Sequence, residues 1–281
     1  LTANDYVLLR NMAQIDSGLD ILALDFDVPR QQMSQLSANE KYANISPEAD
    51  YVLMKLAPSL SQDQVTDLAS GSVADLLSVH NCSLRLKVDS AIALCQRLNL
   101  TNLIVVENLD SFDHFFANLF TPELQAFINN CMVLYRGSHD YSPAGRKRFL
   151  HLLESLNINV IGFTDLDPAG LMIANTLESC CSIIVPQLAL ASPDKLLALA
   201  QINSTDDFHK QHKQWAYLNN LYRDAHSGDK SDSQFSASSV IYNPQWLALV
   251  QWLGQHCVSI KQQHMLAKSM SLTLLNIHCS E

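Results

Sequence analysis

Apolar and polar positions alternate differently in the middle of the chain than on either side of it. Between residues 89 and 190, four short and almost continuous apolar runs (102–106, 132–135, 159–163 and 182–185) are separated by stretches with helical periodicity. Continuous apolar runs are typical of strands buried on both faces, and strands that alternate with helices predict a parallel sheet covered by helices. The pattern therefore predicts an α/β domain with the order βαβαβαβ.

The preceding residues, 1–88, predict a mainly helical lobe. An apolar stretch at 23–26 is compatible with one strand, and a Ser-Pro-Glu sequence at 46–48 has the cap and first-turn residues of a helix that would include 51–54. Two further helical patterns at 60–79 are separated by a Gly-Ser pair. This spacing is compatible with a DNA-binding helix-turn-helix and equally with a plain helical bundle.

The residues after the α/β segment, 191–281, predict a helical C-terminal extension. Its clearest element begins at Asn243-Pro244 and carries an apolar stripe that should face the core: Trp246, Leu249, Val250 and Leu253. We therefore predict an α/β fold with mainly helical terminal regions, divided at 1–88, 89–190 and 191–281.

Composition limits the classes of function. The 281 residues carry a formal net charge of −10 and the sequence pI is about 5.4, which argues against a protein that coats a polyanion through its overall field. Neither a long apolar run nor a secretory signal is recognisable, so we expect a cytoplasmic protein without membrane contact. Because the first residue is Leu rather than Met, the chain is also compatible with a fragment of a longer protein.

Three acidic residues follow strands of the predicted sheet. Glu107 ends the first strand, and Asp165 and Asp167 end the third. Since the carboxyl ends of parallel strands lie at one edge of a sheet, these carboxylates are expected to converge there. Oxygen-only ligation favours Mg²⁺ or Mn²⁺, and Pro168-Ala169-Gly170 predicts an open helix N-terminus that would accept a phosphate.

Basic residues near the same edge are candidates for contacts with nucleic-acid phosphates. Arg146, Lys147 and Arg148 open the helix after the second strand, and Arg136 and His139 lie in the preceding loop. A basic triplet on a solvated helix face is the alternative interpretation.

At these acids the sequence resembles the Toprim domain. The resemblance covers residues 95–190 and rests on Val105-Val106-Glu107-Asn108, Tyr135-Arg136-Gly137 and the stretch from Gly162 to Gly170. It is closest to the versions in the topoisomerase VI A subunit, its meiotic relatives and JetD, the nuclease subunit of Wadjet plasmid-defence complexes.

The resemblance implies a Toprim (Rossmann-like) fold and a DNA-cleaving enzyme. Glu107, Asp165 and Asp167 would be the catalytic and metal-binding residues, Mg²⁺ or Mn²⁺ the cofactor, and DNA the substrate. It also implies a homodimer and SMC-like or other complex subunits as partners. Two departures stand out: no strand-transferring tyrosine is recognisable, and Lys261-Gln262-Gln263 stands where JetD-like proteins tend to be more acidic.

Three other interpretations remain open. The acids are helix or turn caps, as Asp often is in α/β proteins. Alternatively, Asp165-x-Asp167 is the acid pair of a haloacid-dehalogenase-like phosphatase, which leaves Glu107 unexplained. The last is a catalytically inactive Toprim module that serves as an assembly or DNA-binding subunit. The metal hypothesis requires that the acids converge and that no arginine or lysine neutralises them.

Overall fold

The protein forms two compact units, Leu1–Tyr51 and Val52–Glu281. The computed structural model describes residues 2–18, 20, 25–37, 39–44, 50–58, 82–137, 145–199, 201–227 and 241–279. In the first unit, helix α1 spans Ala3–Ser17, helix α2 spans Arg30–Leu36 and a 3₁₀ turn spans Glu40–Tyr42. A capping box between Thr2 and Asp5 begins α1, and Gly18 ends it in the left-handed conformation.

The second unit contains one eight-stranded sheet of described strands, in the order β2-β1-β5-β3-β6-β7-β8-β4. Four neighbouring strands at its centre, β5, β3, β6 and β7, are parallel. β1 is antiparallel to β5 on one side and β8 is antiparallel to β7 on the other. The strands are β1 (Tyr51–Leu56), β2 (Leu84–Lys87), β3 (Asn102–Val106), β4 (Leu119–Phe120), β5 (Cys131–Tyr135), β6 (Asn159–Phe163), β7 (Cys180–Pro186) and β8 (Ser271–Asn276).

Helices cover this sheet and enclose the core. They are α3 (Val88–Arg97), α4 (Leu109–Asp113), α5 (Pro122–Ile128), α6 (Arg146–Leu153), α7 (Pro168–Thr176), α8 (Gln187–Ala191), α9 (Pro193–Leu197), α10 (Thr205–Lys210), α11 (His212–Ser227), α12 (Pro244–Gln255) and α13 (Gln262–Ala267). Every residue of β3 and β5 is buried, as expected for strands covered on both faces.

The four predicted parallel strands are confirmed, and so is the predicted core stripe of α12, whose Trp246, Leu249, Val250 and Leu253 are all buried. The stretch of helical periodicity between β3 and β5 does not form one helix, because it is divided among α4, a 3₁₀ turn at Phe115–Ala117, β4 and α5. The mixed α/β class is therefore correct, and the detail of the connections is not.

The flanking regions differ more from the prediction. A helix across 51–54 is wrong, because β1 occupies these residues and pairs with the central strand β5. One compact unit ends at Tyr51 and the next begins at Val52, and β8 brings residues of the C-terminal region into the same sheet as the central strands. Long-range pairing, of β1 with β5 and of β8 with β7, decided these features. The apolar runs that form β1 and β8 contain no information about their partner strands. The predicted helices at 60–79, including the helix-turn-helix, lie outside the described residues.

Candidate functional site

Strand register brings the predicted acids to one level at the carboxyl edge of the sheet. Val106, the last residue of β3, lies opposite both Tyr135 of β5 and Phe163 of β6. The ladder continues one residue further, since the Glu107 amide donates to the Phe163 carbonyl at 3.0 Å. The residues that follow these three strands therefore meet at one place, as ligand-binding residues do in parallel α/β sheets.

Glu107 lies at the centre of this edge. Its Oε2 atom accepts a hydrogen bond from the Asp165 amide at 3.2 Å, and its Oε1 atom lies 3.9 Å from the Arg136 guanidinium. The side chain is only 20% exposed. Burial, followed by the charge of Asp165, raises the pKa of Glu107 from its ordinary value to about 7. Glu107 is thus partly protonated at neutral pH.

Asp165 is held by two groups from the C-terminal region. Its Oδ1 atom accepts a hydrogen bond from the Gln262 amide at 2.8 Å, and its Oδ2 atom lies 3.1 Å from the Lys261 ammonium group. Burial raises the pKa of Asp165, although Gln262 and Lys261 act in the opposite direction. Both oxygens of this carboxylate therefore already have donors.

Asp167 is almost completely buried and has even more partners. As the N-cap of α7 it accepts a hydrogen bond from the Gly170 amide through Oδ1. Its Oδ2 atom accepts from Gln211 at 2.8 Å, from Lys261 at 3.1 Å and from Ser259 at 3.3 Å. These four donors occupy the directions from which a metal ion would approach.

The segment 258–262, which we call the crossing segment, delivers Lys261 to the site. Ile260 exchanges two backbone hydrogen bonds with Leu166, which lies between the two aspartates in sequence. On its other side, the Ser259 amide donates to the Asn203 side chain at 2.7 Å. Pairing across the Asp-x-Asp loop therefore places the next side chain, Lys261, against both carboxylates.

Gln262 fastens the end of this segment to two strand ends. Its side chain is buried, donates to the Phe163 carbonyl at 2.9 Å and accepts from the Asn108 amide at 3.2 Å. The last carbonyl of β6 and a backbone amide just after β3 thus gain hydrogen-bond partners where the sheet ladder ends. Gln262 thereby fixes the position of its neighbour Lys261.

Lys261 supplies a positive charge to the acidic cluster of Glu107, Asp165 and Asp167. Partial burial lowers the pKa of its ammonium group, but Asp167 and Asp165 outweigh this effect and hold that pKa above its ordinary value. Lys261 is therefore charged at all physiological pH values. It neutralises one of the two aspartates.

This arrangement does not fit a divalent ion shared by the three predicted ligands. Mg²⁺ requires oxygen lone pairs directed at one point at about 2.1 Å, whereas the lone pairs of Asp167 are directed at protein donors. Among the described residues, no group of three or more His, Cys, Asp or Glu side chains is placed to hold a metal ion. The convergence of the acids was predicted correctly, but the lysine between two of them was not.

The helix N-terminus beside the acids is also closed. The Ala169 amide donates to the Gln211 side chain at 2.7 Å, and the Gly170 amide donates to Asp167 at 2.8 Å. Pro168, at the first helical position, has no amide hydrogen. The prediction of an open, phosphate-accepting end is therefore wrong, because the chain satisfies these groups itself.

The predicted basic residues divide into two groups. Arg146 donates from its guanidinium group to the Arg136 carbonyl at 2.8 Å, and burial followed by the charge of Arg136 lowers the pKa of Arg146. Both arginines thus lie on the Glu107 side of the edge. Arg148 instead pairs with Asp89 of α3 at 2.7 Å, and Lys147 is exposed. His139 lies outside the described residues.

Sequence patterns located part of this site. The acids were found because Glu107 directly follows one buried apolar run, and Asp165 and Asp167 lie within four residues of the end of another. Gln211 and Ser259 were missed, since they lie 44 and 92 residues from Asp167 in the chain and belong to no pattern. Lys261 was noted as a departure from an acidic run, but its contact with the aspartates depends on the pairing of Ile260 with Leu166.

The family model described as "Domain of unknown function (DUF7281)" matches residues 50–274. The chain belongs to the DUF7281 family. The DUF7281 match begins beside β1 and ends within β8, so it includes all three acids, Lys261 and Gln262. No curated protein matches the chain. In the described part of this DUF7281 protein, no helix has the length and apolar character needed to cross a membrane.

Proposed function

We propose that this chain is a catalytically inactive, Toprim-like module that serves as an assembly or DNA-binding subunit of a DNA-processing complex. The observation that carries the proposal is the pair of 3.1 Å contacts between Lys261 and the two aspartates. With Asp167 also held by Gln211, Ser259 and Gly170, the site is satisfied from within the chain. Its hydrogen-bonding groups serve the fold rather than a substrate.

The type of complex rests on the resemblance. The acids follow two neighbouring parallel strands, β3 and β6, as the resemblance to Toprim domains implies, and the families whose motifs the chain resembles act on DNA within multisubunit assemblies. SMC-like subunits and a second copy of this chain are the partners that this resemblance implies. The net charge of −10 supports a subunit that relies on others to hold DNA.

Metal-dependent cleavage of DNA is a second candidate function. Glu107 and Asp165 are adjacent, with side chains 20% and 14% exposed, and the nearest positive charge to Glu107 is 3.9 Å away on Arg136 among the ion pairs of the described residues. Lys261 is 36% exposed on a flexible stem. If it left the aspartates, Mg²⁺ or Mn²⁺ would become compatible with these two acids.

Nicking of supercoiled plasmid in Mg²⁺ or Mn²⁺ separates the two candidates. We expect the wild type and Glu107→Gln to give the same background as a protein-free control. Metal-dependent nicking by the wild type, absent in Glu107→Gln, would overturn the proposal in favour of cleavage.

The assembly role has its own test. The chain is co-expressed with the proteins encoded beside its gene, and the molar mass of the purified assembly is measured by light scattering. We expect a stoichiometric complex that the Glu107→Gln variant also forms, because Gln has nearly the same shape as Glu and this side chain is only 20% exposed. A monomer that associates with none of these proteins would contradict an assembly role.

A further inference from the structure

The Lys261 ammonium group occupies the point at which the two aspartates of the acidic cluster meet. Its Nζ atom is 3.1 Å from Oδ2 of Asp165 and 3.1 Å from Oδ2 of Asp167. An ammonium group is a compact point charge with three donors, and it can therefore serve two carboxylates at once. This is the position that a shared cation would take between such acids.

The spacing between these oxygens suits an ammonium group better than a metal ion. Contacts of 3.1 Å lie in the range of N–H···O hydrogen bonds, whereas Mg²⁺ requires about 2.1 Å. Each oxygen would have to move inward by about 1 Å to bind Mg²⁺ at the same point. The donors Gln211 and Ser259 on Asp167, and the Gln262 amide on Asp165, oppose that movement.

Hydrogen bonds of the neighbouring residues fix the position of Lys261. The two hydrogen bonds between Ile260 and Leu166 and the buried side chain of Gln262 hold the residues on either side of it. Folding of the chain therefore places the ammonium group between the aspartates, and no cation has to bind from solution. Because the fold keeps the Lys261 ammonium group at a high effective concentration beside the aspartates, it competes well with a free divalent ion for their oxygens.

We propose that Lys261 is the resident cation of this site, and that the identity of residue 261 decides whether Glu107 and Asp165, the two acids without side-chain donors from Gln211 and Ser259, bind a divalent metal ion. The inference deepens the proposed function, since it rests on the wild-type site being closed to metal. Replacement of Lys261 by Glu removes the competing charge and adds a fourth carboxylate. Replacement by Gln removes the charge alone.

Binding of Mn²⁺ tests the inference without reference to catalysis. Mn²⁺ is titrated into the full chain and free ion is followed by electron paramagnetic resonance, with thermal unfolding recorded in parallel. We expect Lys261→Glu to bind Mn²⁺ at least tenfold more tightly than the wild type and to gain thermal stability from it. Adding Glu107→Gln to this variant should remove most of the gain, which locates the ion.

Lys268→Glu is the matched control, because it makes the same charge change at an exposed lysine after α13. Folded Lys261→Glu and Lys261→Gln variants that bind Mn²⁺ no better than this control would overturn the inference and leave the proposed function standing. Tight binding by the wild type that Glu107→Gln abolishes would overturn both. If neither Lys261 variant folds, the wild-type titration decides alone: no binding supports the inference, and Glu107-dependent binding rejects it.

Discussion

Glu107 and Asp165 are neighbouring, largely buried acids. The Glu107 carboxylate accepts a hydrogen bond from the Asp165 backbone amide, and the two side chains are only 20% and 14% exposed. Asp165 has the Lys261 ammonium group as a partner at 3.1 Å. Among the ion pairs of the described residues, the positive partner of Glu107 is Arg136, at the longer distance of 3.9 Å. Burial without close compensation favours the neutral form of an acid. Ionisation of Glu107 is therefore costly in the folded protein, and the pH dependence of stability should show this cost.

Glu107→Gln should stabilise the protein relative to the wild type more at pH 8 than at pH 5. The folded-state pKa of about 7 lies above the ordinary 4.5, so the cost of ionising Glu107 grows as pH rises between these values and is complete above the upper one. Gln keeps an oxygen for the Asp165 amide and never ionises. We expect the variant's advantage to grow by about 1–3 kcal/mol across this range, measured by urea unfolding.

Glu123→Gln, at an exposed acid in the first turn of α5, is the control for this pH series. Its difference from the wild type should change much less between the two pH values. An advantage of Glu107→Gln that stays constant or shrinks as pH rises would contradict the assignment of the titration to Glu107.

Gly170 allows α7 to begin directly against the Asp-x-Asp loop. A Cβ atom at this position would overlap the carbonyl oxygen of Asp165, which is backbone and cannot rotate away. Gly170→Ala should therefore lower the free energy of unfolding by about 1–3 kcal/mol or more. Chemical denaturation measures the effect, and Gly162→Ala is the comparison.

At Gly162 a Cβ would lie 3.5 Å from the Cβ of Ala174 and from the Cys180 sulfur, which is ordinary contact. Its substitution should cost clearly less than that of Gly170. Equal effects at the two glycines would show that α7 shifts freely and that the loop is not tightly packed.

At the scale of elements, the crossing segment 258–262 joins the C-terminal region to the ends of the central strands. Its pairing with Leu166 and Asn203 uses backbone and amide groups, and its Gln262 side chain bonds the last residue of β6 and a residue just after β3. Buried polar groups of this kind are costly to leave without partners. The segment therefore holds the edge of the sheet together as well as delivering Lys261.

Gln262→Ala should lower the free energy of unfolding by about 1–3 kcal/mol, because the Asn108 amide loses this acceptor, while the Phe163 carbonyl loses one donor and keeps the Glu107 amide. Gln263→Ala, one residue further and half-buried, should cost less than half as much. Urea unfolding followed by circular dichroism gives both values. Similar losses in the two variants would place the strength of this connection elsewhere.

At the scale of the whole molecule, the net charge determines whether the chain attracts or repels a polyanion such as DNA. Eighteen Lys and Arg against 28 Asp and Glu give a repulsive overall field, and the two arginines near Glu107 are partly buried. Lower salt extends the reach of this repulsion. A subunit with such a charge would depend on partner proteins to bring DNA close.

The isolated chain should bind random duplex DNA only weakly, with a dissociation constant above about 10 μM at physiological salt, and should not bind more tightly when salt is lowered. Fluorescence anisotropy with a labelled duplex measures both. A protein with clustered phosphate contacts would instead gain affinity steeply at low salt. That result would show that basic residues form a DNA-binding face despite the net charge.

The sequence by itself determined the four central strands, the parallel α/β arrangement and the presence of three acids at one edge. These features are local: a continuous apolar run predicts a buried strand, and the residue that ends the run lies at the carboxyl edge whatever the strand order. The stripe of α12 is of the same kind, because its helical period is contained within twelve residues.

Only the tertiary structure decided which groups contact those acids. The contact of Lys261 with Asp165 and Asp167 joins positions 96 and 94 residues apart, and it exists because Ile260 pairs with Leu166. The pairing of β1 with β5 and of β8 with β7 was likewise invisible in the runs that form them. Distant backbone pairing leaves no periodic trace in either partner, and here it places a lysine between two of the acids that converge at the edge of the sheet.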